Sequence, residues 1–187
     1  MRKICLGLCL MFLVPLAAVA QDFPRAEIFG GYSYFRANPD EFNLHGWNAS
    51  VTGYITDWFG IEGDFSGHYG SPSVYGFDIP MIDINSHTFM GGPKFAYRSG
   101  AVTPFAHFLI GGARAATGAY GFTVSDTALA AAVGGGIDIN LNERIAIRAI
   151  QADYLMTRYN TGSAVHFNGF DDRQNNFRLS AGIVFRF

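Results

Sequence analysis

Residues Asn175 to Phe187 read NNFRLSAGIVFRF. Successive side chains of an extended strand point to opposite faces. Phe177, Leu179, Ala181, Ile183, Phe185 and Phe187 therefore share one side, and Asn176, Arg178, Ser180, Gly182, Val184 and Arg186 the other. The first face is apolar throughout. The second is small, hydroxylated or cationic, with Val184 its only large apolar member. A half-buried strand of a soluble sheet alternates in the same way. The aromatic end separates the two cases, because the pattern is still running when the sequence stops at Phe187. A strand of about ten residues, apolar outward and polar inward, is the repeat unit of a β-barrel that crosses a membrane.

The opposite end reads as a secretion leader. Arg2 and Lys3 supply its positive start, Ile4 to Leu16 its apolar stretch, and Ala18-Val19-Ala20 a small-residue cleavage site. The apolar run is short and contains Pro15, which argues against a transmembrane helix. We therefore expect residues 1–20 to be a signal peptide and 21–187 the barrel. Both cysteines, Cys5 and Cys9, lie inside the leader, so the mature chain is expected to have no disulfide, thiol nucleophile or cysteine metal site. Cys9 is too early in the leader to be a lipidation point.

Of thirteen Lys and Arg, removing Arg2 and Lys3 leaves eleven against fifteen Asp and Glu. That balance excludes a basic nucleic-acid face. Charged residues are only 15% of the chain, while Gly numbers 23 and Phe and Tyr 18 and 9. This mixture suits a barrel with aromatic girdles and glycines beneath bulky neighbours. No second apolar span follows the leader, and a chain that crosses a bilayer without helices must close a sheet.

Eight strand segments can be drawn: 25–36, 46–56, 59–68, 84–98, 103–114, 128–140, 144–158 and the terminal 175–187. In the first, Ile28, Tyr32 and Tyr34 oppose Glu27, Gly31 and Ser33, with Phe29 and Phe35 interrupting the polar side. The second and third alternate cleanly. Pro93 cannot donate to a ladder, so a bulge or local break is expected there. The faces of the fifth are undecided, since His107 shares its side with Phe105 and Leu109. In the seventh, Arg148 has even parity while Gln151 and Asp153 have odd parity. An inserted residue near Ala149-Ile150 would turn all three inward. Connections after the first, third, fifth and seventh segments are expected to be long, and those after the second, fourth and sixth tight. Outer-membrane barrels show this asymmetry, with short periplasmic turns and longer external loops.

The inward face collects Glu27, Glu62, Asp64, Lys94, Asp138, Arg148, Asp153, Arg178 and Arg186. A narrow eight-stranded barrel is filled by its own side chains, so a structural ionic network is favoured over an active site or water path. His107 is the most tempting catalytic candidate, but Ala106 and Phe108 offer it no partner. Ser86 and His87 point to opposite faces of one strand. His45, His68 and His166 lie in or near loops and lack metal-ligand spacing. The glycines of Val133 to Gly136 lie inside a strand pattern and form no phosphate cradle. No catalytic residue, metal or cofactor is expected.

EIFGGYSYFR at Glu27 to Arg36, TFMGGPKFAYR at Thr88 to Arg98, TPFAHFLIGGAR at Thr103 to Arg114 and the terminal GIVFRF resemble the outer-membrane β-barrel domain family. That family includes small OmpA-, OmpX- and opacity-type barrels. The resemblance implies an eight-stranded antiparallel up-and-down barrel in the bacterial outer membrane. It also implies that Phe185 and Phe187 match the aromatic end presented to the barrel-assembly machinery. Larger relatives carry a peptidoglycan-binding domain after the barrel, which is not expected here. Three functions follow as expectations. The first is a non-enzymatic envelope or surface protein, in contact with outer-membrane lipid and lipopolysaccharide and meeting external ligands through long loops. The others are a lipid A-modifying enzyme and a narrow pore. Register makes a stability prediction: Arg178→Leu should weaken the barrel, and Phe177→Arg, which puts a cation into lipid, should weaken it more, as read from denaturant midpoints.

Overall fold

The computed structural model describes residues 23–37, 42–70, 73–74, 77–78, 82–119, 122–158 and 173–187. Eight strands form the wall: β1 Ala26–Ala37, β2 Phe42–Tyr54, β3 Phe59–Gly70, β4 Ile82–Ala96, β5 Val102–Ala119, β6 Phe122–Asn140, β7 Ile145–Arg158 and β8 Arg173–Arg186. Each pairs antiparallel with its chain neighbours, and β8 returns to β1, closing the barrel. A two-residue ladder, Ser73–Val74 against Phe77–Asp78, lies outside the wall between β3 and β4.

Closure also sets the tilt. From Lys94 the pairing runs through His107, Gly134, Asp153 and Arg178 to Phe35. In the other direction it runs through Gly60 to Tyr54, whose amide bonds to the Arg25 carbonyl. The two routes reach the first strand region ten residues apart, at Phe35 and Arg25. A stagger of that size tilts eight strands by about 40°, so each residue climbs roughly 2.5 Å along the axis.

Alternation decides which side chains meet lipid. On β8, Phe177, Ala181, Ile183, Phe185 and Phe187 are exposed, while Asn176, Arg178, Ser180, Val184 and Arg186 are buried in the lumen. The other strands follow the same rule, and β5 turns Phe105, His107 and Leu109 inward with Phe108 and Ile110 outward. At the turn end Trp58 stacks on Phe95 at 6.0 Å, with Phe59 beside both. Trp47 stands over Gly67, where a Cβ would come within 2.7 Å of the indole nitrogen. From Phe187 and Trp58 up to Arg36 is roughly ten residues of climb, about 25 Å, the height of an apolar membrane band.

Two local irregularities appear where parity and proline demanded them. Ile137 pairs with Ile150 but Asp138 pairs with Arg148, and the β7–β8 register shifts at the same place. Ala149 and Ile150 are both exposed, so the bulge delivers Arg148 and Gln151 to the lumen together. Opposite β5, the ladder omits Gly92 and Pro93 and resumes at Lys94 in the same register. Pro93 thus makes a break without an extra residue.

Several expectations need correction. β2 begins at Phe42 rather than Gly46, which shortens the first outer connection. Residues 115–127, expected to be a long loop, instead extend β5 and β6 until Ala119 pairs with Phe122. Small and hydroxylated residues give little side-chain signal there, yet their backbones complete a hairpin ladder equally well. The hairpin stands about five residues, roughly 12 Å, above the Arg36 level. Tight turns at 55–58, 97–101 and 141–144 match expectation. The leader, His166 and the 159–172 connection lie outside the described residues.

The ranking of the two β8 substitutions also changes. Phe177 pairs with Arg36 at the upper rim, where a lipid-facing cation costs only about 0–1 kcal/mol. Ala181 sits near mid-height, where the cost is roughly 2–4 kcal/mol. We expect Ala181→Arg to lower the denaturant midpoint of the refolded barrel markedly and Phe177→Arg to leave it nearly unchanged; equal losses would contradict this placement.

Candidate functional site

The lumen is the chemically richest place in the molecule, and it is built from alternate residues of every strand. Arg178 on β8 is fully buried and bridges two carboxylates. Its guanidinium donates to both Asp64 oxygens, at 2.7 and 3.1 Å, and its Nε donates to Asp153 Oδ2 at 2.8 Å. A guanidinium offers five donors in a fixed plane, so one side chain ties β8 to β7 beside it and β3 across the barrel. Asn48 supplies Asp64 Oδ2 with a further donor at 2.7 Å.

Asp153 passes the connection on. Gln151 Nε2 donates to its Oδ2 at 2.8 Å, and His107 Nε2 lies 2.8 Å from its Oδ1. The other ring nitrogen, Nδ1, lies 2.8 Å from Glu62 Oε2. A neutral imidazole donates from one nitrogen only and ionised carboxylates only accept. The trio therefore holds a second proton. Glu62 Oε1 is 3.7 Å from Lys94 Nζ, an ion pair beyond hydrogen-bond reach. Lys94 also lies 3.5 Å from Glu27 Oε2, which accepts from the Tyr54 hydroxyl at 2.8 Å.

Glu27 Oε1 accepts from Arg186 Nε at 2.9 Å and from Arg98 Nη1 at 3.2 Å. Arg186 Nη2 stands 3.7 Å from Asp138, which is held by Arg148 through two bonds of 2.8 and 3.2 Å. Arg148 Nη1 then donates to Gln151 Oε1 at 2.7 Å. The contacts thereby close a ring: Asp153, His107, Glu62, Lys94, Glu27, Arg186, Asp138, Arg148, Gln151 and back to Asp153. Phe105 lies inside it. The Arg148 guanidinium stacks between Phe105 and Phe29, 4.2 Å from each, and Lys94 sits 4.5 Å from Phe105. Gly136 leaves room for that ring, since a Cβ there would approach Phe105 to 2.9 Å. Cations over aromatic faces are stabilised further when desolvated.

Above the ring the lumen becomes apolar. Phe35, Leu44, Met90, Leu109 and Leu155 are buried there with small alanines. His68, on β3 and not in a loop, is also buried, with Nε2 2.8 Å from Ser33 Oγ. Below the ring a cavity of ≈ 990 Å³ opens at the turn end. Among the described residues no cluster of three or more His, Cys, Asp or Glu could hold a metal ion.

Glu27, Glu62, Asp64, Lys94, Arg148, Asp153, Arg178 and Arg186 thus all point inward into one connected set. Phe185 and Phe187 lie on the lipid face, beside the seam where Phe187 N bonds to the Ala26 carbonyl. Sequence reasoning left His107, Tyr54 and Arg98 out of the network and turned Gln151 inward without a partner. It judged His107 partnerless because it searched adjacent residues, whereas the partners stand on β3 and β7. Shared inward parity was the available signal, and stagger supplies the rest. Asp153 serves three donors, and removing one member of a buried charge pair costs about 3–5 kcal/mol. We expect Asp153→Ala to lower unfolding stability by about that much and Arg178→Leu by a similar amount, since it strands Asp64 and Asp153. The Asp153→Ala/Arg178→Leu double variant should lose less than the sum.

The geometry agrees with comparisons to known proteins. Comparison with curated protein sequences returns no match. Among solved structures, Ail, the attachment invasion locus protein of Yersinia pestis, aligns with a TM-score of 0.57 at 19% identity, over 88% of this chain and 99% of Ail. Ail in complex with the heparin analogue sucrose octasulfate aligns with a TM-score of 0.58 at 20% identity, over 88% and 99%. Neisserial surface protein A aligns with a TM-score of 0.63 at 15% identity, over 87% of this chain and 97% of its own. At such identities the likeness is one of fold. The family described as outer membrane protein beta-barrel domain matches residues 6–185. With its closed eight-stranded wall, apolar exterior and ionic lumen, the chain belongs to the outer membrane protein beta-barrel domain family and resides in the bacterial outer membrane.

Proposed function

We propose that the protein is a non-enzymatic envelope protein whose barrel anchors it, whose outer wall grips lipopolysaccharide, and whose projecting β5–β6 hairpin meets external ligands. One observation carries the proposal. Arg36, Arg114 and Arg158 are exposed on the outer wall, and His45 and the half-buried His87 join them. His87 pairs with Arg114 across β4 and β5, and His45 pairs with Tyr69 across β2 and β3. Allowing for tilt, all five fall within about two residues of height, roughly 5 Å. The belt lies at the upper edge of the apolar band, and the tight turns below and the hairpin above support its meeting the outer leaflet.

Aromatic partners accompany the belt. The Tyr69 hydroxyl lies 3.2 Å from His87 Nε2, and Tyr32 and Tyr34 flank His45. Arginine is well suited to phosphate because its fork can bond two oxygens at once. The outer-leaflet glycolipid presents phosphates at this depth, so the belt matches it in sign and height. The closed ring and the apolar layer above it support a filled wall rather than a conduit or a lumenal enzyme. In this account residues 1–20 are removed on export, and Phe185 and Phe187 present the final strand to the barrel-assembly machinery.

A ligand that binds only the folded state raises its unfolding temperature. Lipopolysaccharide in phosphatidylcholine vesicles should do so for the native protein, and much less for Arg114→Glu/Arg158→Glu. Equal stabilisation of both would contradict the belt. A mass change in the lipopolysaccharide would instead favour the enzyme, and steady single-channel current the pore.

A further inference from the structure

We propose that the inner, turn-end mouth of the barrel is a binding site for an oxyanion, carboxylate or phosphate, presented from the periplasmic side. The cavity there is lined by Arg98, Arg144 and Arg186 from three separate segments, together with Thr103, Asn140 and the exposed Glu143. It is distinct from the lipopolysaccharide belt, which faces outward at the opposite rim.

Two guanidinium groups converge at its floor on one atom. Arg98 Nη1 and Arg186 Nε both donate to Glu27 Oε1, and Lys94 draws on the other oxygen of the same carboxylate. Three cations thus share one acid. Arg98 spends its Nε on the Asp57 carbonyl at 3.0 Å, and Arg186 spends its Nη1 on Asn140 Oδ1. Each then has one nitrogen left over. Arg98 Nη2 and Arg186 Nη2 are both buried without a hydrogen-bond partner, and Arg186 as a whole is only 6% exposed. The nearest acid to Arg186 Nη2 is Asp138 at 3.7 Å, already held by two bonds from Arg148.

Buried donors in native proteins are nearly always satisfied, so each exception calls for an explanation, and an acceptor supplied from outside is one. Among the described residues five buried side-chain atoms lack a partner, and two of them, these guanidinium nitrogens, belong to neighbouring cations that line one open cavity. Asn140 and Asn142 cannot fill the need. The Asn140 side-chain oxygen already accepts from Arg186 Nη1 and the Thr103 hydroxyl, and the Asn142 side-chain oxygen accepts from the backbone of Arg144 and Ile145. Arg144 adds an exposed guanidinium at the rim. Glu143 opposes it, while at the floor the single Glu27 carboxylate serves both Arg98 and Arg186. An oxyanion with two oxygens would accept from both Nη2 groups.

The test uses the refolded protein in detergent at low ionic strength, titrated calorimetrically with inorganic phosphate and with succinate. Saturable binding of either probe supports the site, and the stronger of the two assigns the phosphate or carboxylate source. Arg98→Gln, at the edge of the cavity, should weaken binding about tenfold, as expected for one charge-assisted hydrogen bond. Asn175→Ala, exposed on the opposite rim and outside the belt, should leave it unchanged. Arg186→Gln should abolish it in protein that still shows the compact, heat-modifiable mobility of a folded barrel. Absence of saturable heat up to about 20 mM of both probes, well past a millimolar Kd, would overturn the proposal. So would equal binding by wild type and Arg98→Gln.

Discussion

Among the described residues nine charged side chains are buried in the lumen of this barrel, and the tube is too narrow to hydrate them individually. They must neutralise and hydrogen-bond one another, because an isolated buried ion is very costly. The rest of the structure is arranged around that requirement. Asp153 must stand where Arg178, His107 and Gln151 can all reach it, which fixes β7 against β8 and β5. Glu27 must meet Arg186 across the closing seam and Lys94 across the lumen. A slip of one residue would put every partner on the lipid face. Charge pairing therefore specifies register and closure together with the greasy exterior.

Most of the wall was legible from alternation alone. The last strand declared its two faces, and β2, β3 and β6 did so nearly as clearly. The bulge at Ala149-Ile150 was legible for a more specific reason: Arg148, Gln151 and Asp153 could not all turn inward on a regular strand. Two features were hidden. The 115–127 stretch has the small, polar composition of a loop, but a ladder is made by backbone groups that composition does not report. His107 has no local partner, and its two carboxylates arrive from β3 and β7 only after the strands are staggered around the cylinder. The apolar layer of Leu44, Leu109 and Leu155 was obscured likewise, since inward apolar residues look like interruptions of a polar face. Sequence shows which side a residue takes, whereas stagger decides whom it meets.

The two ends of the cylinder carry different chemistry because they meet different surroundings. At the outer rim cations face outward among aromatic rings, at the height of lipid headgroups. At the inner rim cations face inward over a cavity, and two of their nitrogens have no acceptor. Between them the ring around Phe105 and the apolar layer above it separate the compartments. This division fits a membrane anchor with chemically distinct faces better than a conduit.

The central claim is that the lumen charges form a closed, water-excluding ring, and side-chain hydrogen exchange tests it most directly. In the refolded, nitrogen-labelled protein transferred to heavy water, the Nε protons of Arg148 and Arg178 should persist long after that of exposed Arg144 has exchanged. If all three exchange together, the lumen is wet and the ring does not exist as described.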